Sequence, residues 1–155
     1  MARNQLVLPV ASNLRNAAMR VILDTNVLVA ALMISGGPPH QLFEAFLNDR
    51  FTLITSDAQI DEFSRVTRYP VIRSRIHPAQ AGRLLNAVRS LSVLLGKLPV
   101  SHVSSDPHDD YLFAMAQVGE ADYLVTGDKA GVLALRRHGK TEIVTARKMV
   151  TILKL

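Results

Sequence analysis

The stretch Arg20-Val21-Ile22-Leu23-Asp24-Thr25-Asn26 determines how this chain is expected to fold. Three consecutive apolar residues, two of them β-branched, are typical of a buried strand, and the polar residues after them favour a change from strand to helix. Asp24 would then lie at the carboxyl end of a strand, where open parallel α/β sheets bind their ligands. Because Asp, Thr and Asn are also common N-caps, the stretch predicts either a site residue or a helix cap at this point.

The composition restricts the class of protein. A chain of 155 residues that is 48% apolar is long enough for one domain with a substantial core. The absence of cysteine excludes a disulfide framework and a thiolate site, and it fits a cytoplasmic protein. No apolar run reaches the roughly 20 residues of a membrane-spanning helix, so no membrane association is expected. We expect one domain at 19–155, preceded by an extension at 1–18 that is either flexible or an artefact of the assigned start site.

Apolar periodicity predicts that strands and helices alternate along the chain. The predicted strands are Val21–Leu23, Phe51–Thr55, Tyr123–Thr126 and Glu142–Thr145. The predicted helices are Val27–Ile34, one around Leu42–Leu47, one from Ser56 to Tyr69 with a capping box at Ser56 and Gln59, one from Pro78 to Gly96, one from Asp106 to Gln117, Val132–Arg136 and Ala146–Leu153. No hairpin sequence such as Asn-Gly joins the strands. The pattern therefore predicts an α/β fold in which helices cover both faces of a parallel sheet.

Acidic side chains are expected to gather at one edge of this sheet. Asp24 and Asp128 each follow a strand, and Asp110 belongs to an acidic run at a helix start. Right-handed crossovers place such positions at the same edge. Glu62 lies in a helix that begins there, so four carboxylates could converge.

Each acid also has a purely structural explanation. Asp106 precedes a proline and could be an N-cap, and Asp109 would then lie in the first helical turn, where acids favour the helix dipole. Glu62 could be a surface residue and Asp128 could end a turn. Only the joint placement of the acids favours a site.

A site made of carboxylates alone suits Mg²⁺ or Mn²⁺, which prefer oxygen ligands and share their coordination shell with phosphates. Without a cation the carboxylates would repel one another. Bound ions of this kind activate water and stabilise a leaving oxygen, so the pattern predicts metal-assisted hydrolysis. Thr25, Asn26 and Thr126 could hold a carboxylate or contact a phosphate, although helix capping explains them equally well.

Positive charge is concentrated in one interval of the chain. The formal net charge is +5, and no acid occurs between Glu62 and Asp106, whereas seven cations do: Arg65, Arg68, Arg73, Arg75, Arg83, Arg89 and Lys97. A solvated helical face normally mixes the two signs. The interval therefore predicts a surface that binds phosphates or an acidic partner.

Taken together, the ordered motifs resemble those of the PIN-domain nucleases, and more narrowly the toxins of VapBC-like toxin-antitoxin pairs. The motifs are Arg-Val-Ile-Leu-Asp24-Thr-Asn-Val, then Glu62 in a helix after Ser56, then Asp-Pro-His-Asp-Asp110-Tyr-Leu-Phe-Ala-Met-Ala, then Ala-Asp-Tyr-Leu-Val-Thr-Gly-Asp128-Lys. The resemblance covers about Met19 to Leu155.

The resemblance implies a three-layer α/β sandwich with a central parallel sheet of about five strands, and metal-dependent endonucleolytic cleavage of RNA. It places Asp24, Glu62, Asp110 and Asp128 at the four acidic positions that hold Mg²⁺ or Mn²⁺ and carry out catalysis, with Asp106 or Asp109 as an accessory. It also implies a homodimer and a cognate antitoxin whose tail blocks the site. The nearby Arg65, Arg68, Arg73 and Arg75 would bind the RNA.

Two other functions remain open from the sequence. The same fold and basic face could belong to a non-catalytic module that binds RNA or a protein. A phosphatase-like α/β enzyme is disfavoured, because Asn26 stands where a second aspartate of an Asp-x-Asp pair would be needed and no glycine-rich phosphate loop is present.

Overall fold

A computed structural model describes residues 19–103, 109–127 and 131–155. The predicted extension at 1–18 lies outside the described residues. The strands are β1 (Arg20–Leu23), β2 (Thr52–Ser56), β3 (Val93–Leu95), β4 (Tyr123–Val125), β5 (Arg137–His138) and β6 (Thr141–Val144). The helices are α1 (Thr25–Met33), α2 (Pro38–Leu47), α3 (Asp57–Val66), α4 (Pro70–Arg73), α5 (Pro78–Leu91), α6 (Asp110–Val118) and α7 (Ala146–Leu153), with a short 3₁₀ helix at Val132–Leu135.

The six strands form one sheet in the order β3-β2-β1-β4-β6-β5, and all neighbours are parallel except β5 and β6. Strand β1 therefore lies inside the sheet, between β2 and β4. Its register with β4 pairs Leu23 with Val125. The next residue of each strand, Asp24 and Thr126, consequently lies at the same point of the carboxyl edge.

Helices cover both faces of the sheet, which gives the three layers expected from the sequence. Val21 and Leu23 of β1 point into one core with residues of α1, α2, α3, α5 and α7. Ile22 points the other way, into a core with α6 and the 3₁₀ helix. All three apolar residues of β1 are at most 1% exposed, and this explains why the strand is continuously apolar rather than alternating.

One predicted helix is too long. The apolar stripe from Pro78 was expected to remain helical as far as Gly96, but α5 ends at Leu91 and Ser92 has an extended backbone. Leu94 and Leu95 belong instead to β3, a three-residue strand that pairs with β2. Its backbone hydrogen bonds to β2 replace those of the helix, and an apolar sequence fits either structure.

The sheet also contains a hairpin that the sequence pattern did not predict. Strand β5 pairs with β6 in the antiparallel direction, with Arg137 opposite Glu142 and His138 opposite Thr141. Gly139 follows β5 with a φ of 58°, a conformation that glycine adopts without strain. The expectation that no hairpin is present was therefore wrong at this edge.

Within the described residues, no helix is both long and apolar enough to cross a membrane.

Candidate active site

Asp24 is a buried acid at the carboxyl edge of the sheet. Its N–H donates to the carbonyl of Val125 at 2.9 Å, which extends the β1–β4 pairing by one residue. It occupies the N-cap position of α1, but its side chain makes no capping hydrogen bond. Instead, Oδ2 accepts a hydrogen bond from the Thr126 hydroxyl at 2.8 Å, and the residue is only 5% exposed. The hydrogen bond from Thr126, and not a side-chain cap of α1, therefore accounts for the position of Oδ2.

The electrostatic setting of Asp24 is unfavourable to its charge. Burial raises the pKa of the Asp24 carboxyl above its ordinary value of 3.8, and the negative charge of Glu62 adds to this effect. The Thr126 hydroxyl and the N–H groups of Thr25 and Asn26 act in the opposite direction. Among the described residues, no lysine, arginine or histidine forms an ion pair with Asp24. A cation bound here would offset a charge that the described side chains leave uncompensated.

Glu62 reaches the same edge from α3 and is connected to Asp24's neighbour by a tyrosine. The Tyr111 hydroxyl donates to Glu62 Oε2 at 3.1 Å and lies 3.2 Å from the hydroxyl of Thr25. Burial and the nearby carboxylates of Glu62 and Asp24 raise the pKa of Tyr111 above its ordinary value, so its proton stays in place at neutral pH. The Tyr111 hydroxyl thus remains a hydrogen-bond donor, and it holds the Glu62 carboxylate in place.

Tyr111 was not predicted as a site residue. It lies on the strongly apolar helix α6, where a tyrosine fits the core pattern as well as its neighbours do. The only signal in the sequence is its position directly after Asp110.

A second unpredicted contact holds α3 against the end of β1. Ser56 caps α3 as expected, since its hydroxyl accepts from the N–H of Gln59 at 3.3 Å. The Gln59 side chain, however, does not complete a capping box. It donates to the carbonyl of Leu23 at 2.5 Å and accepts from the Thr55 hydroxyl at 2.8 Å. This buried amide ties the helix that carries Glu62 to the residue before Asp24.

The remaining predicted acids have different surroundings. Asp110 is the first residue of α6 and is 9% exposed, and its Oδ1 accepts from the N–H of Val103 at 3.0 Å. Asp109 stands directly before α6, at the cap position, without a side-chain capping hydrogen bond. Asp106 and Asp128, together with the predicted helix start at Asp106, lie outside the described residues.

The predicted accessory residues divide into two groups. Thr25 and Thr126 are fully buried, and each contacts a member of the site through its hydroxyl. Asn26 is exposed on the first turn of α1. The two threonines are therefore part of the described site, whereas Asn26 lies at its surface.

The described residues fit a hard divalent cation only in part. Across 19–103, 109–127 and 131–155, no group of three or more acidic or histidine side chains is arranged to hold a metal ion. Asp24 and Glu62 nevertheless supply two carboxylates whose charges influence each other. Mg²⁺ is commonly bound through one or two carboxylates and completes its shell with water and phosphate oxygens. The donor set thus suits such an ion.

The predicted RNA-binding arginines also separate in the structure. Arg65 and Arg68 line an open cavity of about 700 Å³ together with Glu62 and Tyr111. Arg65 Nη2 lies 3.7 Å from Glu62 Oε1 and forms an ion pair with it. Arg73 ends α4 and Arg75 follows it, and both are exposed but do not line this cavity. Only two of the four cations therefore lie beside the carboxylates.

A sequence-family model for the PIN domain matches residues 20–130, which include β1, Glu62 and α6. The chain belongs to the PIN domain family. PIN domains are generally nucleases that use divalent metals. The buried acid at the end of β1 and the carboxylate on α3 are consistent with this membership.

Individual relatives extend the match beyond the family model. The chain is 25% identical over 123 residues to an uncharacterized protein, MJ1680, of Methanocaldococcus jannaschii, and the match covers 79% of this chain and 78% of that protein. Its fold is similar to the crystal structure of PAE2754 from Pyrobaculum aerophilum, with a TM-score of 0.56 and 19% identity, over 94% of this chain and 99% of the other. The second match shows that the fold similarity extends over nearly the whole chain.

Proposed function

We propose that this PIN domain is a metal-dependent endoribonuclease that hydrolyses RNA phosphodiester bonds. The observation that carries the proposal is Asp24, a buried carboxylate next to a second acid and without a cationic partner among the described residues. Carboxylates whose pKa is raised by burial and by a neighbouring acid occur preferentially at functional sites, where a metal ion can offset their charge. Asp24, Glu62, Asp110 and Asp128 would hold Mg²⁺ or Mn²⁺, with Asp106 or Asp109 as an accessory.

Different residues of the candidate site would orient the carboxylates and bind the phosphates. The Thr126 hydroxyl fixes Asp24, and the Tyr111 hydroxyl fixes Glu62, so both carboxylates are oriented before substrate binds. When bound, the divalent cation would lower the pKa of a water molecule and offset charge on the phosphodiester. Arg65 and Arg68 would neutralise phosphates on the side of Glu62, and Arg73 and Arg75 would extend the contact along the strand.

We also propose a biological setting, that of a cytoplasmic toxin in a type II toxin-antitoxin pair that forms a homodimer and is blocked by its cognate antitoxin. This proposal rests on the resemblance of the ordered motifs to VapBC-like toxins. Expression of the chain in a host cell is then expected to stop growth, and Asp24→Asn is expected to remove the effect.

The test of the nuclease is cleavage of a mixed-sequence, end-labelled single-stranded RNA in Mn²⁺, in Mg²⁺ and in EDTA. We expect cleavage that requires a metal and that Asp24→Asn abolishes, since the substitution removes a metal ligand but keeps the size of the side chain. Asp49→Asn is the matched control. Asp49 is exposed in the turn after α2 with a φ of 60°, a conformation that asparagine tolerates.

A binding module without catalysis is the competing function. It is favoured if the folded wild-type protein leaves the RNA intact and calorimetry at neutral pH finds no Mn²⁺ binding. Loss of the fold in Asp24→Asn, shown by circular dichroism, would instead give Asp24 a structural role.

A further inference from the structure

A second cavity, of about 670 Å³, opens beside the carboxylates. It is lined by residues 56–58 at the start of α3, by the segment 96–102 that follows β3, and by Asp110 and Tyr111 of α6. This volume lies within the range of roughly 300–1,000 Å³ that is typical of ligand pockets. The roles proposed above use Asp110 and Tyr111 of this lining, but they give no role to the segment 96–102.

The two cavities are adjacent. Ala58 and Tyr111 line both the 670 Å³ cavity and the 700 Å³ cavity that contains Arg65 and Arg68. The shared wall carries the Tyr111 hydroxyl, which contacts Glu62. Because Glu62 lines the arginine cavity and Asp110 lines the second cavity, a nucleic-acid strand bound at these carboxylates would have both cavities beside it.

The lining of the second cavity is chemically mixed. Leu98, Pro99 and Val100 supply apolar surface, and Val100 is 84% exposed, so a ligand with a flat apolar face would bury surface that is now in water. Ser101 and His102 supply hydrogen-bonding groups beside it. An unstacked nucleobase has this combination of apolar faces and polar edges.

We propose that this cavity holds one base of single-stranded RNA next to the cleaved bond and sets the base preference of cleavage. Lys97, which also lines the cavity, would contact a phosphate of the same nucleotide. The inference deepens the proposed nuclease function and rests on it. It assigns recognition of one base to the segment 96–102, separately from the phosphate contacts of the arginines.

The test compares two glycine substitutions. A Cβ atom added at Gly96 or at Gly82 meets no other atom within 4 Å, and both residues are exposed, so Gly96→Leu and Gly82→Leu should both fold. Gly96 lines the cavity, whereas Gly82 lies on α5 away from it. Each variant is incubated with a pool of randomised single-stranded RNA and metal, and the products are sequenced to obtain base frequencies on both sides of the cut.

We expect the wild type and Gly82→Leu to share a preference at one flanking position. Gly96→Leu should reduce that preference about tenfold, because the leucine side chain would take up space proposed for the base, and small changes in the shape of an apolar pocket change discrimination by at least this factor. His102→Ala, which removes a polar group without filling space, should change which base is preferred. Cleavage by the wild type without a base preference would overturn the proposal that the cavity recognises a base, and so would a preference that Gly96→Leu retains. Neither result would contradict the proposal that the protein is a nuclease.

If the folded wild-type protein does not cleave RNA, the nuclease proposal fails and the cavity is tested by binding instead. Binding of short, fluorescently labelled single-stranded homopolymers of A, C and U is then measured in EDTA. Affinities that depend on the base in the wild type and in Gly82→Leu, but not in Gly96→Leu, would support the cavity. Equal affinities for the three RNAs would refute it.

Discussion

Asp24 combines two properties that oppose each other in the metal-free protein. The side chain is excluded from water, and the neighbouring Glu62 is also acidic, so ionisation of Asp24 on folding is unfavourable. The Thr126 hydroxyl compensates only in part, because the net effect is a raised pKa. Ionisation of Asp24 therefore costs free energy in the folded protein, and a divalent cation would offset this cost.

This penalty predicts how the stability of the protein depends on pH. Because the pKa of Asp24 is higher in the folded state than its ordinary value of 3.8, the folded state binds more protons than the unfolded state as pH rises above that value. The contribution of Asp24 to the free energy of unfolding should thus decrease as the pH rises from about 4 towards neutrality. We expect Asp24→Asn to be more stable than the wild type in EDTA at about pH 7, with no gain at about pH 3, as measured by urea denaturation.

Two comparisons make this prediction specific. Asp49→Asn, at an exposed carboxylate, should not reproduce the gain. Adding Mn²⁺ should stabilise the wild type and not Asp24→Asn. A variant that is less stable than the wild type at every pH would show that the carboxylate stabilises the fold, contrary to its inferred electrostatic cost.

Asp24, Tyr111 and Gln59 differ in how far their positions follow from the sequence. The position of Asp24 at the end of a buried strand was predicted, because it follows from local pattern alone, whereas its interpretation as a site residue depended on the other acids. Tyr111 and Gln59 were missed because their contacts are not local: Tyr111 donates to a residue 49 positions away, and Gln59 to one 36 positions away. Local periodicity indicates that such side chains are buried but not which polar group they meet.

The carboxyl end of helix α6 packs closely on strand β2. A Cβ atom placed on Gly119, at the carboxyl end of α6, would come within 2.8 Å of Ile54 Cγ2 and of the backbone oxygen of Met115. The absence of a side chain thus sets the distance at which α6, with Asp110 and Tyr111 at its other end, packs on the sheet.

We therefore expect Gly119→Ala to destabilise the protein by about 1–3 kcal/mol, the usual cost of overpacking a core. Gly82→Ala is the matched control, because its Cβ meets nothing and it lies inside α5. This variant should stabilise by about 0.5–1 kcal/mol through higher helix propensity. Denaturant unfolding of both variants gives the signs, and equal effects in the two would refute the close approach.

The secondary structure shows a similar division between local and distant causes. Elements with a strong internal period were predicted almost to the residue, and α7 at Ala146–Leu153 has the predicted bounds. Strand β3 was missed because Val93–Leu95 continues the apolar stripe of α5, and only pairing with β2 makes it extended. Strand β5 has two residues, both polar, and exists only through its pairing with β6.

The positive charge of the protein is distributed unevenly along the chain. The seven cations between Glu62 and Asp106 are all exposed in the structure. Two of them, Arg65 and Arg68, lie in the cavity beside the carboxylates. The sequence could predict that this interval is basic, but the fold decides which of its cations lie near the site, since α4 carries Arg73 away from that cavity.

The positions of the cations make it possible to test whether RNA binding depends on a local contact or on the net charge of the protein. Arg68→Ala and Arg137→Ala each remove one positive charge, but Arg137 belongs to β5, at the opposite edge of the sheet from β3, and lies 3.8 Å from Glu142. We expect Arg68→Ala to weaken binding of single-stranded RNA several-fold at low salt. The slope of log affinity against log salt should decrease by about 0.7, the value expected for single strands when the protein neutralises one phosphate fewer.

Arg137→Ala should leave the slope unchanged, because a distant charge contributes little once salt screens it beyond about 10 Å. Binding is measured by fluorescence anisotropy over a series of salt concentrations, in EDTA so that cleavage does not interfere. An equal decrease of affinity and slope in both variants would mean that the RNA responds to the overall charge of +5 and not to the cavity beside Glu62. A slope that is unchanged in Arg68→Ala as well as in Arg137→Ala would place the RNA phosphates elsewhere along the basic interval.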